Sequence, residues 1–280
     1  MPKTRGVLIA GNWKMNQGTL ETERFFSHFQ ENLQNWVKTS ESQPFLRGDV
    51  RTCIFPPFLS LNQAKVSLSQ FAFPEPLPIH LGAQNAHWEK KGAFTGEISG
   101  PMLKEQGIHW ILVGHSERRQ YFGETDSLVR KRCESFLDQG FQVILCIGET
   151  REEREAGKTQ EILTRQLNHG LPETSALTNS DSLNRLIIAY EPVWAIGTGL
   201  TASPQQAEEA HLQIRNFTSE VLGIKRAQKI QILYGGSVTP ENIDSLLNCP
   251  NVDGALVGGA SLKLESFFFL LQAGAKAALK

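Results

Sequence analysis

The sequence predicts an α/β fold, a (β/α)₈ barrel of eight parallel strands. Three observations point to it. Eight short runs are apolar on both parities: Gly6–Ala10, Val50–Phe55, Ile79–Ala83, Trp110–Val113, Gln142–Ile147, Leu186–Tyr190, Lys229–Tyr234 and Gly254–Val257. Strands covered on both faces of a parallel sheet read this way. Longer amphipathic stretches separate the runs, and no linker divides the 280 residues, so one domain spans 1–280. An open, doubly wound sheet meets the same pattern, and periodicity alone does not choose between them.

The first connection carries Phe26, Phe29, Leu33 and Val37 at helical spacing. Between runs six and seven, Ala207, Ala210, Ile214, Phe217 and Val221 repeat in the same way. That helix has a defined start, with Ser203 as N-cap, Pro204 at N1 and Gln206 at N3. Thr239-Pro240 is expected to open the next helix alike, and the last runs from about Glu265 to Leu279. Three polar or proline-rich segments read as surface insertions: Thr39–Gly48, Phe71–Pro78 and Thr174–Asp181. They bring the chain roughly 30 residues above the usual size of such a barrel.

Lys+Arg is 28 and Asp+Glu is 29, a net charge of -1. The electrostatic signature of a nucleic-acid binder is missing. Cys53, Cys133, Cys146 and Cys249 form no Cys-x-x-Cys pair, which fits a reducing compartment. The apolar stretch Val7–Ala10 is too short for a signal peptide or membrane span. A cytoplasmic location is expected, and the sequon Asn216-Phe217-Thr218 is then unused.

Polar clusters follow the strands. Asn12 and Lys14 follow the first, His115, Ser116 and Glu117 the fourth, and Glu191 the sixth. Gly235-Gly236-Ser237 and Gly258-Gly259 follow the last two. In a barrel all of these lie at the C-terminal face, where active sites are built. Glu191 ends an apolar strand before Pro192, and a carboxylate losing solvation there becomes a better base. By itself it reads more simply as a strand-end Glu paired with Lys or Arg. A helix starting at His115 would disfavour the imidazolium and leave a neutral ring able to donate to a carbonyl. Taken alone, a His satisfied by nearby backbone is an equal reading. The other histidines (28, 80, 87, 109, 169 and 211) read as structural or surface residues. Lys14, between Trp13 and Met15, offers a cation to substrate or an amine for a Schiff base; a lone Lys is usually solvated.

The two Gly-Gly pairs let backbone N–H groups approach a phosphate, at the loops where barrels often bind one. Segment Pro192–Ala202 is apolar, holds two glycines and has no helix cap before Ser203. It reads as a lid, or else as a loop packed permanently on the barrel. Gly157-Lys158-Thr159 is not a P-loop, because Glu152 stands where glycine is needed. Gly197-Thr198-Gly199 is a poor dinucleotide fingerprint, with Ala202 in place of its third glycine.

Over nearly its whole length the chain resembles the triosephosphate isomerase family, a TIM barrel. The resemblance rests on Gly11-Asn12-Trp13-Lys14-Met15-Asn16, Gly82-Ala83-Gln84-Asn85, Gly92-Ala93-Phe94-Thr95-Gly96-Glu97 and Gly114-His115-Ser116-Glu117-Arg118-Arg119. It continues in Cys146-Ile147-Gly148-Glu149-Thr150, Ala189 to Gly199, Tyr234-Gly235-Gly236-Ser237 and Val257-Gly258-Gly259-Ala260. It implies interconversion of dihydroxyacetone phosphate and glyceraldehyde 3-phosphate through an enediolate, in glycolysis, gluconeogenesis and the neighbouring pentose phosphate pathway. The implied roles are Glu191 as base, His115 as carbonyl polariser and proton shuttle, Lys14 as charge stabiliser and Asn12 as orienter. Gly197, Ser237, Gly258 and Gly259 would bind phosphate, and Glu117 would pair with Lys14. A homodimer is implied, with Thr95 reaching the second subunit's site, and no metal or organic cofactor. Two other readings stay beside it: a Schiff-base aldolase-like barrel using Lys14, and a non-catalytic phosphate-binding barrel.

Overall fold

In the computed structural model, which describes residues 5–73, 75–173, 180–197 and 200–279, the chain closes on itself. The strands are β1 (Val7–Asn12), β2 (Val50–Phe55), β3 (Ile79–Ala83), β4 (Trp110–Val113), β5 (Gln142–Ile147), β6 (Leu186–Tyr190), β7 (Gln231–Tyr234) and β8 (Gly254–Val257). Each pairs in parallel with the next, and β1 pairs with β8, Leu8 opposite Gly254 and Gly11 opposite Val257. The closure decides for the barrel and against the open sheet. Six runs have the expected bounds. β1 extends through Gly11 and Asn12, because both pair with Ile54 and Phe55 of β2. β7 begins at Gln231, because Lys229 and Ile230 donate into the turn that ends the helix Ile224–Ala227.

The pleat explains why both parities are apolar. Leu8 and Ala10 point into the barrel with Phe55, Leu112, Ile144 and Leu233. Val7 and Ile9 point outward into the helix layer. At the N-terminal end the interior is closed by polar and aromatic groups. Arg51 lies 5.3 Å over the Trp110 ring and donates to Gln231 at 2.6 Å, and His80 stacks on the same ring at 5.1 Å. Burial, and then repulsion from Arg51, lowers the His80 pKa from 6.5 to about 4. Between those two values the unfolded chain binds more protons than the folded one. Stability from this site is therefore complete above pH 6.5 and is lost as pH falls towards 4. We expect His80→Phe to reduce the drop in unfolding free energy between pH 7 and pH 4.5 by roughly 2 kcal/mol. An unchanged drop in urea titrations at the two pH values would refute this.

The helix Thr19–Trp36 buries Phe26, Phe29 and Leu33 as expected, with Trp36 in place of the half-buried Val37. In the helix Pro204–Leu222, Ser203 accepts from Gln206 N in a full capping box, and Leu222 rather than the exposed Val221 ends the buried face. The last helix spans Leu264–Ala278. Thr239-Pro240 does not open a helix. Asn242 Oδ1 accepts from Thr239 N at 2.9 Å, which closes a turn, and the helix starts at Ile243. Thr239 O accepts from Asn242 N at 3.2 Å and from Ile243 N at 3.1 Å, so residues 240–242 form a turn that leads into that helix.

Thr39–Gly48 is not a surface loop. It contains the short helix Gln43–Leu46, whose Phe45 is fully buried 5.3 Å from the Trp36 ring. Its polar flanks hid an aromatic anchor for the outer layer. Phe45→Ala should cost about 3–5 kcal/mol of stability and leave KM unchanged. A loss under about 1 kcal/mol in denaturant titrations would contradict the anchoring role. Phe71–Pro78 is a loop, with Phe71 and Phe73 packed against the core. Pro74, residues 174–179 of the third insertion, and Thr198 and Gly199 lie outside the described residues. No helix among the described residues is long and apolar enough to cross a membrane.

Candidate active site

The strand ends converge on a cavity of about 390 Å³ at the C-terminal mouth of the barrel. Asn12, Lys14, His115, Glu191, Gly197, Ser237, Gly258 and Gly259 all line it. Glu117 stands beside it, bonded to Lys14. Thr95 lies on an exposed loop and does not line the cavity.

Glu191 directly follows β6, and its N–H donates to Ile147 O at 2.7 Å. It is 2% exposed. Two glycines make room for it. A Cβ on Gly148 would fall 1.7 Å from the Glu191 carbonyl oxygen, and one on Gly235 would fall 2.9 Å from its Cγ. Only glycine permits the first approach. Oε2 accepts from Ser116 N at 2.9 Å and Oε1 lies 3.1 Å from His115 Nε2. The simpler ion-pair reading of Glu191 is thereby excluded: its partners are a backbone amide and an imidazole.

His115 is the N-cap of the helix Ser116–Phe122, and its Nδ1 accepts from Glu117 N at 3.2 Å. A nitrogen that accepts from an amide carries no proton. The remaining proton of a neutral ring is therefore on Nε2, directed at Glu191 and the cavity. The helix start thus sets the tautomer that can donate to a carbonyl.

Lys14 is in the left-handed region at φ 53°, which L residues other than Asn, Asp and His seldom adopt. Its N–H donates to Asn12 Oδ1 at 3.0 Å, and its carbonyl accepts from Gln84 Nε2 at 2.7 Å. Gln84 also donates to Phe55 O at 2.9 Å, and the buried Trp13 indole donates to Ser261 O at 3.1 Å. The turn is thus tied to three strands. The ammonium reaches Glu117 Oε1 at 2.6 Å. Gln84 and Trp13 had no role assigned from sequence; the available signal was a long amide side chain immediately after an apolar strand.

The segment 192–202 is held at both described ends. Before it, Glu149 is fully buried and its Oε1 accepts from Tyr190 OH at 3.0 Å, Trp194 Nε1 at 3.1 Å and Arg154 at 3.1 Å. Arg154 also lies 4.7 Å over the Trp194 ring. After it, Tyr234 OH accepts from Ala202 N at 3.3 Å. Burial, and for Tyr190 also Glu149, raises both phenol pKa values, that of Tyr234 to about 12. Both stay protonated at neutral pH, as the donor Tyr190 must. Thr198 and Gly199, the centre of the expected lid, lie outside the described residues.

Residues 7–274 match the family model described as Triosephosphate isomerase. The chain belongs to the triosephosphate isomerase family. It is 46% identical over 263 residues to the protein of that name from Geobacter metallireducens, covering 94% of this chain and 96% of the relative. It is 44% identical to the one from Alkaliphilus metalliredigens, covering 94% and 97%, and 43% identical to the one from Dictyoglomus turgidum, covering 96% and 99%. The family match spans every residue of the cavity. Membership of the triosephosphate isomerase family and the closed barrel of parallel strands agree.

Proposed function

We propose that Glu191, His115 and Lys14 together carry out the interconversion of dihydroxyacetone phosphate and glyceraldehyde 3-phosphate, the family's activity. The observation that carries this reading is the buried Glu191–His115 pair, 3.1 Å apart, in a cavity shared with Lys14 and two Gly-Gly turns. Substrate entering the cavity inserts its carbonyl between the two. Glu191 takes the proton from the carbon next to the carbonyl. The His115 Nε2–H and the Lys14 ammonium meet the charge that develops on oxygen. His115 then moves protons between the two oxygens, and Glu191 returns its proton to the neighbouring carbon. Asn12 orients the substrate while fixing the Lys14 backbone. The backbone at Gly197, Ser237, Gly258 and Gly259 holds the phosphate. The segment 192–202, read as a lid, keeps water from the intermediate. Neither alternative is favoured: the Lys14 ammonium is ion-paired with Glu117, whereas an imine-forming amine has to be neutral.

Purified protein should convert glyceraldehyde 3-phosphate in a dehydrogenase-coupled assay without added metal or organic cofactor. Folded protein with no turnover would overturn the reading.

A homodimer completes it. Met15 is 94% and Leu59 92% exposed, with Phe58, Phe94 and Met102 also exposed. Met15, Phe58 and Leu59 lie side by side around one surface hollow, and such a contiguous apolar patch supports a contact surface there. The loop 92–97 of a second copy would cover them and bring its Thr95 to this cavity. Light scattering at micromolar concentration should give twice the chain mass, and a monomer would exclude the arrangement. The four buried cysteines outside any disulfide support a reducing, cytoplasmic location, and the family's activity supports a place in glycolysis, gluconeogenesis and the connected pentose phosphate pathway.

A further inference from the structure

His211 does not line the cavity at the barrel mouth and takes no part in the steps above, yet it is fully buried on the helix Pro204–Leu222. Its Nδ1 lies 2.6 Å from Ala207 O. A carbonyl oxygen only accepts, so Nδ1 bears a proton and ties the ring to its own helix. The ring meets Tyr190 edge-to-face with centroids 5.7 Å apart, and lies against Tyr234 at 6.2 Å. Tyr190 and Tyr234 are themselves 6.5 Å apart. These two phenols anchor opposite ends of the segment 192–202. Tyr190 shares Glu149 Oε1 with the Trp194 indole, and Tyr234 takes the Ala202 amide. A close-packed interior transmits a shift of one ring to those it touches. An aliphatic side chain would fill the space without fixing the angle of either phenol.

We propose that His211 is a positioning residue for the isomerisation, holding the anchors of both ends of the segment in one register so that the ends seat together over the cavity. The inference rests on the reading of 192–202 as the cover. If one end seats without the other, the enediolate is left uncovered. Its C1 oxygen then re-forms a carbonyl, the double bond moves to C2–C3, and the C–O bond to phosphate breaks with its electrons. Inorganic phosphate leaves, and the enol product tautomerises to methylglyoxal. No oxidant or reductant is needed.

The test measures phosphate released per triose phosphate isomerised, with kcat/KM, in the full chain carrying His211→Ala, His211→Phe or Tyr234→Phe. We expect His211→Ala to raise the phosphate fraction about tenfold and lower kcat/KM by a similar factor. His211→Phe keeps the ring and should recover most of both, which a general loss of stability would not produce. Should His211→Ala fail to fold, His211→Asn keeps the donor, loses the ring and replaces it in the test. A folded His211→Ala or Asn protein with wild-type partition overturns the inference. If Tyr234→Phe raises the phosphate fraction while that variant does not, the cover reading stands and the role of His211 falls. If no variant moves the partition, both fall.

Discussion

Glu191→Asp is expected to lower kcat about 100-fold or more while leaving KM within a factor of about two. The argument is geometric. The Glu191 backbone is fixed by the hydrogen bond from its N–H to Ile147 O and by the close approach of Gly148. The shorter side chain therefore cannot recover its reach by moving the main chain. The carboxylate retreats by about one bond length from the carbon it must deprotonate, and a displacement of that size costs on the order of 100-fold. On the proposed reading, phosphate is held by the glycine turns after β7 and β8, which the substitution does not touch. Glu191→Gln, which removes the base altogether, should lose about 10²–10⁴-fold. Steady-state kinetics of the two variants decide the matter. An unchanged kcat in either would remove Glu191 from the role of base.

Lys14→Met is expected to lower kcat/KM by about 100- to 1,000-fold, or about 3–4 kcal/mol of transition-state stabilisation. Methionine keeps the unbranched stem and makes the same demand on the backbone at φ 53°, so the change isolates the charge. The Asn12 and Gln84 bonds go to the Lys14 main chain and survive. Stability should move little, because the Lys14–Glu117 pair is partly open to solvent at 28% and 37%. Such pairs contribute about 0–1 kcal/mol. The exposed Lys225 provides the control: Lys225→Met should leave both kinetics and stability alone. A Lys14→Met enzyme with wild-type kcat/KM would show that no cation is needed in the cavity.

Much of this architecture was legible before any coordinates. Six of the eight strands carry the bounds their apolar runs indicated, and Ser203 caps its helix as its neighbours required. Glu191, His115 and Lys14 could be singled out because each is a polar group placed where an apolar strand stops. What escaped were features decided by partners far along the chain. Phe45 lies among polar residues, and Trp36 and the last helix make it part of the core. Gln84 is an ordinary amide until closure puts the Lys14 and Phe55 carbonyls beside it.

The residues alone determined the strand pattern, the helix caps and the chemical types standing at each strand end. These follow from periodicity and from side-chain chemistry, which act over a few residues. Tertiary structure decided the rest: that β1 meets β8, that His115 presents Nε2–H to Glu191, that Gly148 makes room for the base, and that His211 packs against both phenol anchors. These are contacts between residues tens to hundreds of positions apart. They arise when the sheet closes, because only then do the strand ends share one mouth.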